Sequence, residues 1–159
     1  MIIEGPAFLL GNDVDTDTII PTFALQLSRD PVHFGDYAFH HAIPGFKEKD
    51  VTILVAGANF GCGSSREEAV FALIHSGVRA VLARSFAPIF KRNAFNNALP
   101  CIQIDTSSIE GSDHLVIDLD EQVVINETQE KKYSFTFSAP EKTLISAGGL
   151  LHILMQKIH

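Results

Sequence analysis

The sequence has few cysteines and few basic residues, and these two shortages exclude several classes of protein. Only two of its 159 residues are cysteine, Cys62 and Cys101, whereas an iron–sulfur cluster usually takes four thiolates. Twelve lysines and arginines stand against 19 aspartates and glutamates, a formal net charge of −7. A nucleic-acid surface needs clustered positive charge, so we expect no nucleic-acid partner. A small anionic substrate is compatible with this charge, because a few local donors can outweigh it.

Long apolar runs and tryptophan are also absent. No apolar run approaches the roughly 18 residues that a membrane span needs, and the amino terminus lacks the basic start of a secretory signal peptide. The low cysteine content suits a reducing compartment. Twelve phenylalanines and 46% hydrophobic residues supply the bulk of a core. We therefore expect a cytoplasmic protein without membrane contact, folded as a single domain over residues 1–159.

Apolar runs and turn signals alternate through the middle of the chain, as in a parallel α/β unit. The pattern predicts strands at Val51–Ala56, Val78–Ala83 and Cys101–Ile104, with helices near 65–76 and 85–97. Gly77 is expected to end the first helix and Ser85 to cap the second.

The two ends of the chain show a different pattern. Apolar and polar residues alternate in the second half, which is typical of half-buried antiparallel strands. The predicted strands are 8–10, 115–119, 123–125 and 133–137, and the predicted helical segments are 32–42, 140–147 and 149–158. The fold class that we expect is α/β with mixed parallel and antiparallel strands.

A glycine-rich loop, Gly57 to Arg66, lies between a predicted buried strand and the start of a predicted helix. Free backbone N–H groups and the positive end of the helix dipole favour anions at such a place. The Arg66 guanidinium adds a fork for a carboxylate. Ser64 and Ser65 each precede a glutamate by three residues, which is also the pattern of a capping box. An anion site and a plain helix cap both stay open.

Three aspartates, Asp13, Asp15 and Asp17, precede this loop in the chain. A calcium loop starting at the first of them would lack the glycine of its sixth position and the glutamate of its twelfth. We therefore favour turn carboxylates, or the edge of a site, over a calcium site. Cys62 lies between two glycines, and a small apolar filler is a better interpretation than a nucleophile because no partner base can be identified.

Five segments together resemble the small subunits of 3-isopropylmalate dehydratases, in the aconitase superfamily. They are Gly11–Pro21, Asn59–Glu67, Ala83–Phe90, Asn93–Asn97 and Ala147–Leu150. They occur in order over nearly the whole chain. The resemblance implies a swivelling β/β/α domain like the C-terminal domain of aconitase.

The same resemblance implies a partner and a reaction. A separate large subunit would carry a [4Fe–4S] cluster, in a heterodimer or heterotetramer, and this chain would bind neither cluster nor metal. The complex would convert 2-isopropylmalate to 3-isopropylmalate by dehydration and rehydration, a step of leucine biosynthesis. The substrate would be a small hydroxy dicarboxylate.

Residue roles follow from the resemblance as well. Ser64 would be the catalytic base, acting as an alkoxide, in an electropositive pocket that such a base needs. Ser65 and Arg66 would bind a substrate carboxylate, and Thr16 and Asp17 would line the site.

Two further assignments concern the segment after the aspartates. Arg29 would be a second substrate-binding arginine. Ala24, Leu25 and Gln26 lie where related enzymes choose between substrate side chains, and their mostly apolar character favours a branched alkyl group. The alternatives are a related dehydratase acting on homoaconitate, citramalate or dimethylmalate, or an anion-binding module without catalysis.

Overall fold

The computed structural model describes residues 1–158, which form a seven-stranded mixed sheet with helices packed on it. The strands are β1 (Ile2–Leu9), β2 (Ile53–Val55), β3 (Ala80–Ala83), β4 (Cys101–Gln103), β5 (His114–Asp118), β6 (Val123–Asn126) and β7 (Lys131–Ser134). The helices are α1 (Thr16–Ile19), α2 (Thr22–Leu27), α3 (Pro31–Phe34), α4 (Glu67–His75), α5 (Pro88–Asn96), α6 (Ala139–Ala147) and α7 (Leu150–Ile158). None of the helices within residues 1–158 is long and apolar enough to cross a membrane.

The strand order is β4-β3-β2-β1-β5-β6-β7, and β1 joins two different halves. Its residues Ala7–Leu9 pair in parallel with β2, while Ile2–Pro6 pair antiparallel with β5. The predicted strand at 8–10 was therefore too short, because Gly5-Pro6 resembles a break although it lies inside the strand. The mixed parallel and antiparallel arrangement itself is confirmed.

The parallel half contains the most deeply buried strands. Every residue of β2 and β3 is buried, as the continuous apolar runs predict. Helix α4 ends as expected at Gly77, whose φ is +108°. There the N–H groups of Gly77 and Val78 donate to the carbonyls of Ile74 and Leu73 at 3.1 and 3.0 Å, the pattern of a Schellman motif. This turn leads the chain from α4 into β3.

Three local predictions were wrong. The segment 32–42 is helical only through α3 and a 3-10 turn at Gly35–Tyr37, since Phe39 then takes a φ of +53°. The last strand ends at Ser134, because the N–H of Phe137 donates to the side chain of Gln122 at 2.6 Å instead of to a strand. Helix α5 begins at Pro88, so Ser85 does not cap it.

A buried carboxylate stabilises the antiparallel half of the sheet. Asp113 is 4% exposed and accepts hydrogen bonds from Asn126 Nδ2 at 2.8 Å, Gln129 Nε2 at 2.7 Å and the Glu110 N–H at 2.9 Å. The bond from Asn126 chiefly, and then the bond from Glu110, hold the pKa of Asp113 below its ordinary value of 3.8. The ionised form is thus favoured by folding.

This arrangement predicts a loss of stability in acid. A carboxyl group with a lowered pKa stabilises the fold above its ordinary pKa, and that stabilisation is lost as the pH falls through the lowered value. Asp113→Asn should therefore reduce the free energy of unfolding at neutral pH and flatten its decline below about pH 4. Urea unfolding across pH measures both effects, with the exposed Asp50→Asn as control. If the free energy of unfolding changed with pH in the same way for wild type and Asp113→Asn, the stabilising role of the ionised Asp113 would be contradicted.

Candidate active site

Two of the sequence motifs lie side by side at the carboxyl ends of β1 and β2. Four backbone hydrogen bonds join the aspartate segment to the glycine-rich loop: Gly57 to Gly11 (3.1 Å), Asp13 to Ala58 (2.8 Å), Gly61 to Val14 (2.7 Å) and Thr16 to Cys62 (2.9 Å). The loop after β3 joins them, since the Phe60 N–H donates to the Ser85 carbonyl at 3.0 Å. The carboxyl ends of parallel strands meet at one sheet edge, where ligands commonly bind in α/β folds.

Side chains reinforce this junction. Asn12 Oδ1 accepts from the Ala58 N–H at 2.7 Å, and Asn59 Nδ2 donates to Asp13 Oδ1 at 3.0 Å. Ser85 Oγ accepts from the Asn59 N–H at 2.7 Å, which is its role in place of the predicted helix cap. Asp15 accepts from the Thr18 N–H at 2.6 Å and caps α1. Two of the three aspartates are therefore turn and cap residues.

The two serines of the loop do not cap α4. The helix begins at Glu67, and its cap residue is Arg66, which is extended (φ −135°, ψ 110°) and makes no capping bond with its side chain. The capping-box interpretation of Ser64 and Ser65, one of the two that the sequence left open, is therefore wrong, because the helix begins only after Arg66. Both serines are exposed. Within residues 1–158 neither hydroxyl takes part in a hydrogen bond.

Thr16 lies beneath Ser64. It is 1% exposed, and its Oγ1 donates to the Ser64 carbonyl at 2.8 Å. A buried hydroxyl with a carbonyl partner is a satisfied polar group. In this conformation Thr16 holds the backbone that carries Ser64, while Asp17 remains exposed at the rim.

Arg66 is held by two partners. Its Nη1 lies 2.8 Å from Asp17 Oδ1, and both Nη1 and Nη2 donate to Thr22 Oγ1 at 3.3 Å. The side chain is 17% exposed and that of Asp17 is 62% exposed. Thr22 was not among the predicted site residues. The structure thus places three of the predicted site residues, Ser64, Arg66 and Asp17, close together and adds Thr22.

The remaining predicted residues occupy α2 and the loop after it. Ala24 is buried in the core, Leu25 is half-buried and Gln26 is exposed. Arg29 is exposed and makes no hydrogen bond or ion pair with any described residue. Of the predicted specificity segment, Leu25 and Gln26 are therefore the residues whose side chains a ligand can reach. Arg29 forms no hydrogen bond or ion pair with Arg66.

A small open cleft of about 100 Å³ is lined by four of the predicted site residues, Thr16, Ser64, Ser65 and Arg66, and by Ile89 among others. Clefts that bind small molecules usually measure about 300–1,000 Å³. Larger clefts, about 410 and 460 Å³, lie around Met1 but contain none of the predicted site residues. The cleft beside Ser64 is therefore too small to enclose a small-molecule ligand by itself.

The described residues do not fit an iron–sulfur cluster or a catalytic thiolate. No group of three or more His, Cys, Asp or Glu side chains among them is arranged to hold a metal ion. Burial raises the pKa of Cys101, and burial together with Asp13 and Asp15 raises the pKa of Cys62. Both cysteines are therefore thiols at neutral pH.

Comparison with known proteins gives matches over most of the chain. The family model of the aconitase C-terminal domain matches residues 24–107. A methanogen homoaconitase small subunit from Methanocaldococcus jannaschii is 42% identical over 160 residues, covering 99% of this chain and 94% of that protein. A 3-isopropylmalate dehydratase small subunit from Aliarcobacter butzleri is 44% identical over 154 residues, covering 94% of this chain and 92% of that protein.

A solved structure matches equally well. The crystal structure of a 3-isopropylmalate dehydratase from Methanocaldococcus jannaschii superposes with a TM-score of 0.90 at 39% identity, covering 99% of this chain and 96% of that one. This superposition confirms the fold that the sequence resemblance implies.

Proposed function

The chain belongs to the aconitase C-terminal domain family, and on that premise we propose that it is the small subunit of a two-subunit hydro-lyase. The enzyme converts 2-isopropylmalate to 3-isopropylmalate by dehydration and rehydration, in leucine biosynthesis. The large subunit carries a [4Fe–4S] cluster and completes a heterodimer or heterotetramer. A cytoplasmic location belongs to the same proposal, since two free cysteines suit a reducing compartment.

The open cleft carries this proposal. Ser64, Ser65 and Arg66 stand at the rim of a cleft of about 100 Å³, which cannot enclose a dicarboxylate by itself. A second surface has to supply the other wall. A large subunit docked on this edge of the sheet would do so and would bring the groups that this chain lacks.

Ser64 is the proton acceptor in the proposed reaction. The proton on the carbon alpha to a carboxylate passes to the Ser64 alkoxide, the C–H electrons form the double bond, and hydroxide leaves the neighbouring carbon. The cluster of the large subunit would supply the Lewis acid that takes the departing hydroxide. Rehydration of the unsaturated diacid in the other orientation gives the isomer. An alkoxide needs nearby positive potential. The Arg66 guanidinium and the amino end of α4, a nine-residue helix, are its sources on this chain.

Arg66 binds a substrate carboxylate in this proposal. A guanidinium has five N–H donors, and Asp17 and Thr22 engage only those of Nη1 and one of Nη2. The Nε–H and the second Nη2–H, which lie side by side, form no hydrogen bond with a described residue. They are the pair that can take a carboxylate in a bidentate manner.

Replacing this fork tests the carboxylate assignment. Arg66→Lys keeps the charge but loses the planar pair of donors. We expect kcat/KM for 2-isopropylmalate to fall about 10- to 100-fold, the usual weight of hydrogen bonds to a charged group. Steady-state kinetics of the two-subunit complex measure this, with Arg79→Lys, at the opposite edge of the sheet, as control. An unchanged kcat/KM would remove Arg66 from the substrate site.

Co-expression tests the function as a whole. This chain and the large dehydratase subunit of the same organism are expressed together and purified without oxygen, and 2-isopropylmalate conversion is assayed. Turnover that requires both chains is the expected result. Activity of this chain alone, or a cluster-loaded complex that turns over no hydroxy dicarboxylate, would contradict the proposal. Binding of a dicarboxylate by this chain alone, without turnover in any complex, would instead indicate an anion-binding module.

Homoaconitate is the second candidate substrate. The relative from Methanocaldococcus jannaschii named as a homoaconitase small subunit is 42% identical over almost the full chain. The apolar, half-buried Leu25 and the neutral, exposed Gln26 of the specificity segment favour an alkyl group over a further carboxylate. Comparing kcat/KM for 2-isopropylmalate, homoaconitate, citramalate and dimethylmalate in the complex decides between them.

A further inference from the structure

We propose that Thr22 is a positioning residue that fixes the orientation of the Arg66 guanidinium and ties it to α2. The inference rests on the proposed function and adds to it a residue that sets substrate fit. It starts from one contact, the hydrogen bonds from Nη1 and Nη2 of Arg66 to Thr22 Oγ1, both 3.3 Å long.

Arg66 needs Thr22 because Asp17 alone cannot fix the plane of the guanidinium. Asp17 touches only Nη1, and its carboxylate is 62% exposed, so water competes for the ion pair. A single contact leaves the plane free to rotate. Thr22 adds a second contact between the two terminal nitrogens, and two contacts on different edges define the plane. The Nε–H and the remaining Nη2–H are then held toward the open cleft as a fixed pair.

Thr22 can do this because it stands on an anchored helix. It is the first residue of α2, and the preceding Pro21 is buried, as is Ala24 one turn later. The Thr22 hydroxyl is not engaged by its own helix, and its partners among the described residues are Nη1 and Nη2 of Arg66. Thr22 itself is exposed, but the buried residues on either side of it hold its backbone in place relative to the core.

The contact also connects two parts of substrate recognition. Arg66 holds a carboxylate, and α2 carries Leu25 and Gln26, which face the substrate side chain in the proposed function. The hydrogen bonds from Arg66 to Thr22 set the distance between these parts. Losing the Thr22 hydroxyl should therefore weaken substrate binding and reduce discrimination between side chains, with little change in the proton transfer at Ser64.

Two substitutions separate the hydroxyl from the shape of the side chain. Thr22→Val keeps the branched shape and removes the acceptor, while Thr22→Ser keeps the acceptor. Thr136→Val, at an exposed position in the antiparallel half, is the control. In the complex, we expect Thr22→Val to raise KM for 2-isopropylmalate about five- to tenfold, with kcat within about twofold and Thr22→Ser close to wild type. The kcat/KM ratio of 2-isopropylmalate to citramalate should fall as well.

A second measurement needs no turnover. NMR of the full chain labelled with ¹⁵N-arginine reports rotation of the Arg66 guanidinium about its Nε–Cζ bond. Faster rotation in Thr22→Val, but not in Thr22→Ser, is the expected result. Equal rotation in all three proteins would overturn the inference whatever the enzyme does, and so would an unchanged KM or an equal rise in both variants. A wild-type complex idle on every hydroxy dicarboxylate would overturn the proposed function, while the NMR result would still decide the role of Thr22.

Discussion

Ser64→Ala should lower kcat of the two-subunit complex by about 1,000-fold or more and leave assembly intact. A positioned general base contributes roughly 10²–10⁴-fold to a proton transfer, and alanine offers no atom to replace it. Ser64 is exposed and its hydroxyl caps no helix, so its loss removes no contact of the fold. We therefore expect the substitution to lower kcat without changing the fold or the assembly of the complex.

The structure supplies clear controls for this variant. Ser65→Ala should chiefly raise KM, since Ser65 is assigned to the substrate carboxylate. Ser146→Ala, on an exposed face of α6, should change neither constant. Single-turnover rates in the anaerobic complex separate the chemical step from product release. Near-normal turnover by Ser64→Ala would refute the base assignment, and failure to bind the large subunit would show that Ser64 is an interface residue instead.

The parts of the fold that the sequence predicts well are those whose signals are local. The strands at 53–55 and 80–83 are continuous apolar runs, and α4 ends through the N–H groups of Gly77 and Val78, which donate to carbonyls three and five residues back, respectively. The placement of the glycine-rich loop between a buried strand and a helix was predicted because strand, loop and helix are contiguous in the chain. In each case the deciding contacts lie within a few residues.

The sequence is misleading where contacts between residues far apart in the chain determine the local structure. Ser64 and Ser65 match a capping box, but α4 starts after Arg66, whose side chain is engaged by Asp17 and Thr22 more than forty residues away. Thr22 has no sequence signal at all, because only the folded chain places its hydroxyl against a guanidinium. A pairing of this kind follows from tertiary packing, which local propensity does not encode.

Gly61→Ala should destabilise the chain by about 3 kcal/mol or more. Gly61 has a φ of +83°, which costs a residue with a Cβ about 1–2 kcal/mol. Its Cβ would lie 2.2 Å from Cγ and 2.5 Å from Cβ of Phe90. Phe90 is 3% exposed and packs on Phe60 with ring centroids 5.3 Å apart. It has no space to retreat, and overpacking a core typically costs about 1–3 kcal/mol.

Urea unfolding of the full chain measures this prediction, and Gly11→Ala is its matched control. A Cβ at Gly11 would meet nothing within 4 Å, so the control should stay within about 0.5 kcal/mol of wild type. Gly63→Ala is a second control, because the φ of +92° at Gly63 imposes similar backbone strain while a Cβ there would meet no atom closer than 3.5 Å. A Gly61→Ala protein as stable as Gly63→Ala or Gly11→Ala would contradict the clash. Since Gly61 lies three residues before Ser64, the clash would also show that close packing against Phe90 sets the path of the glycine-rich loop.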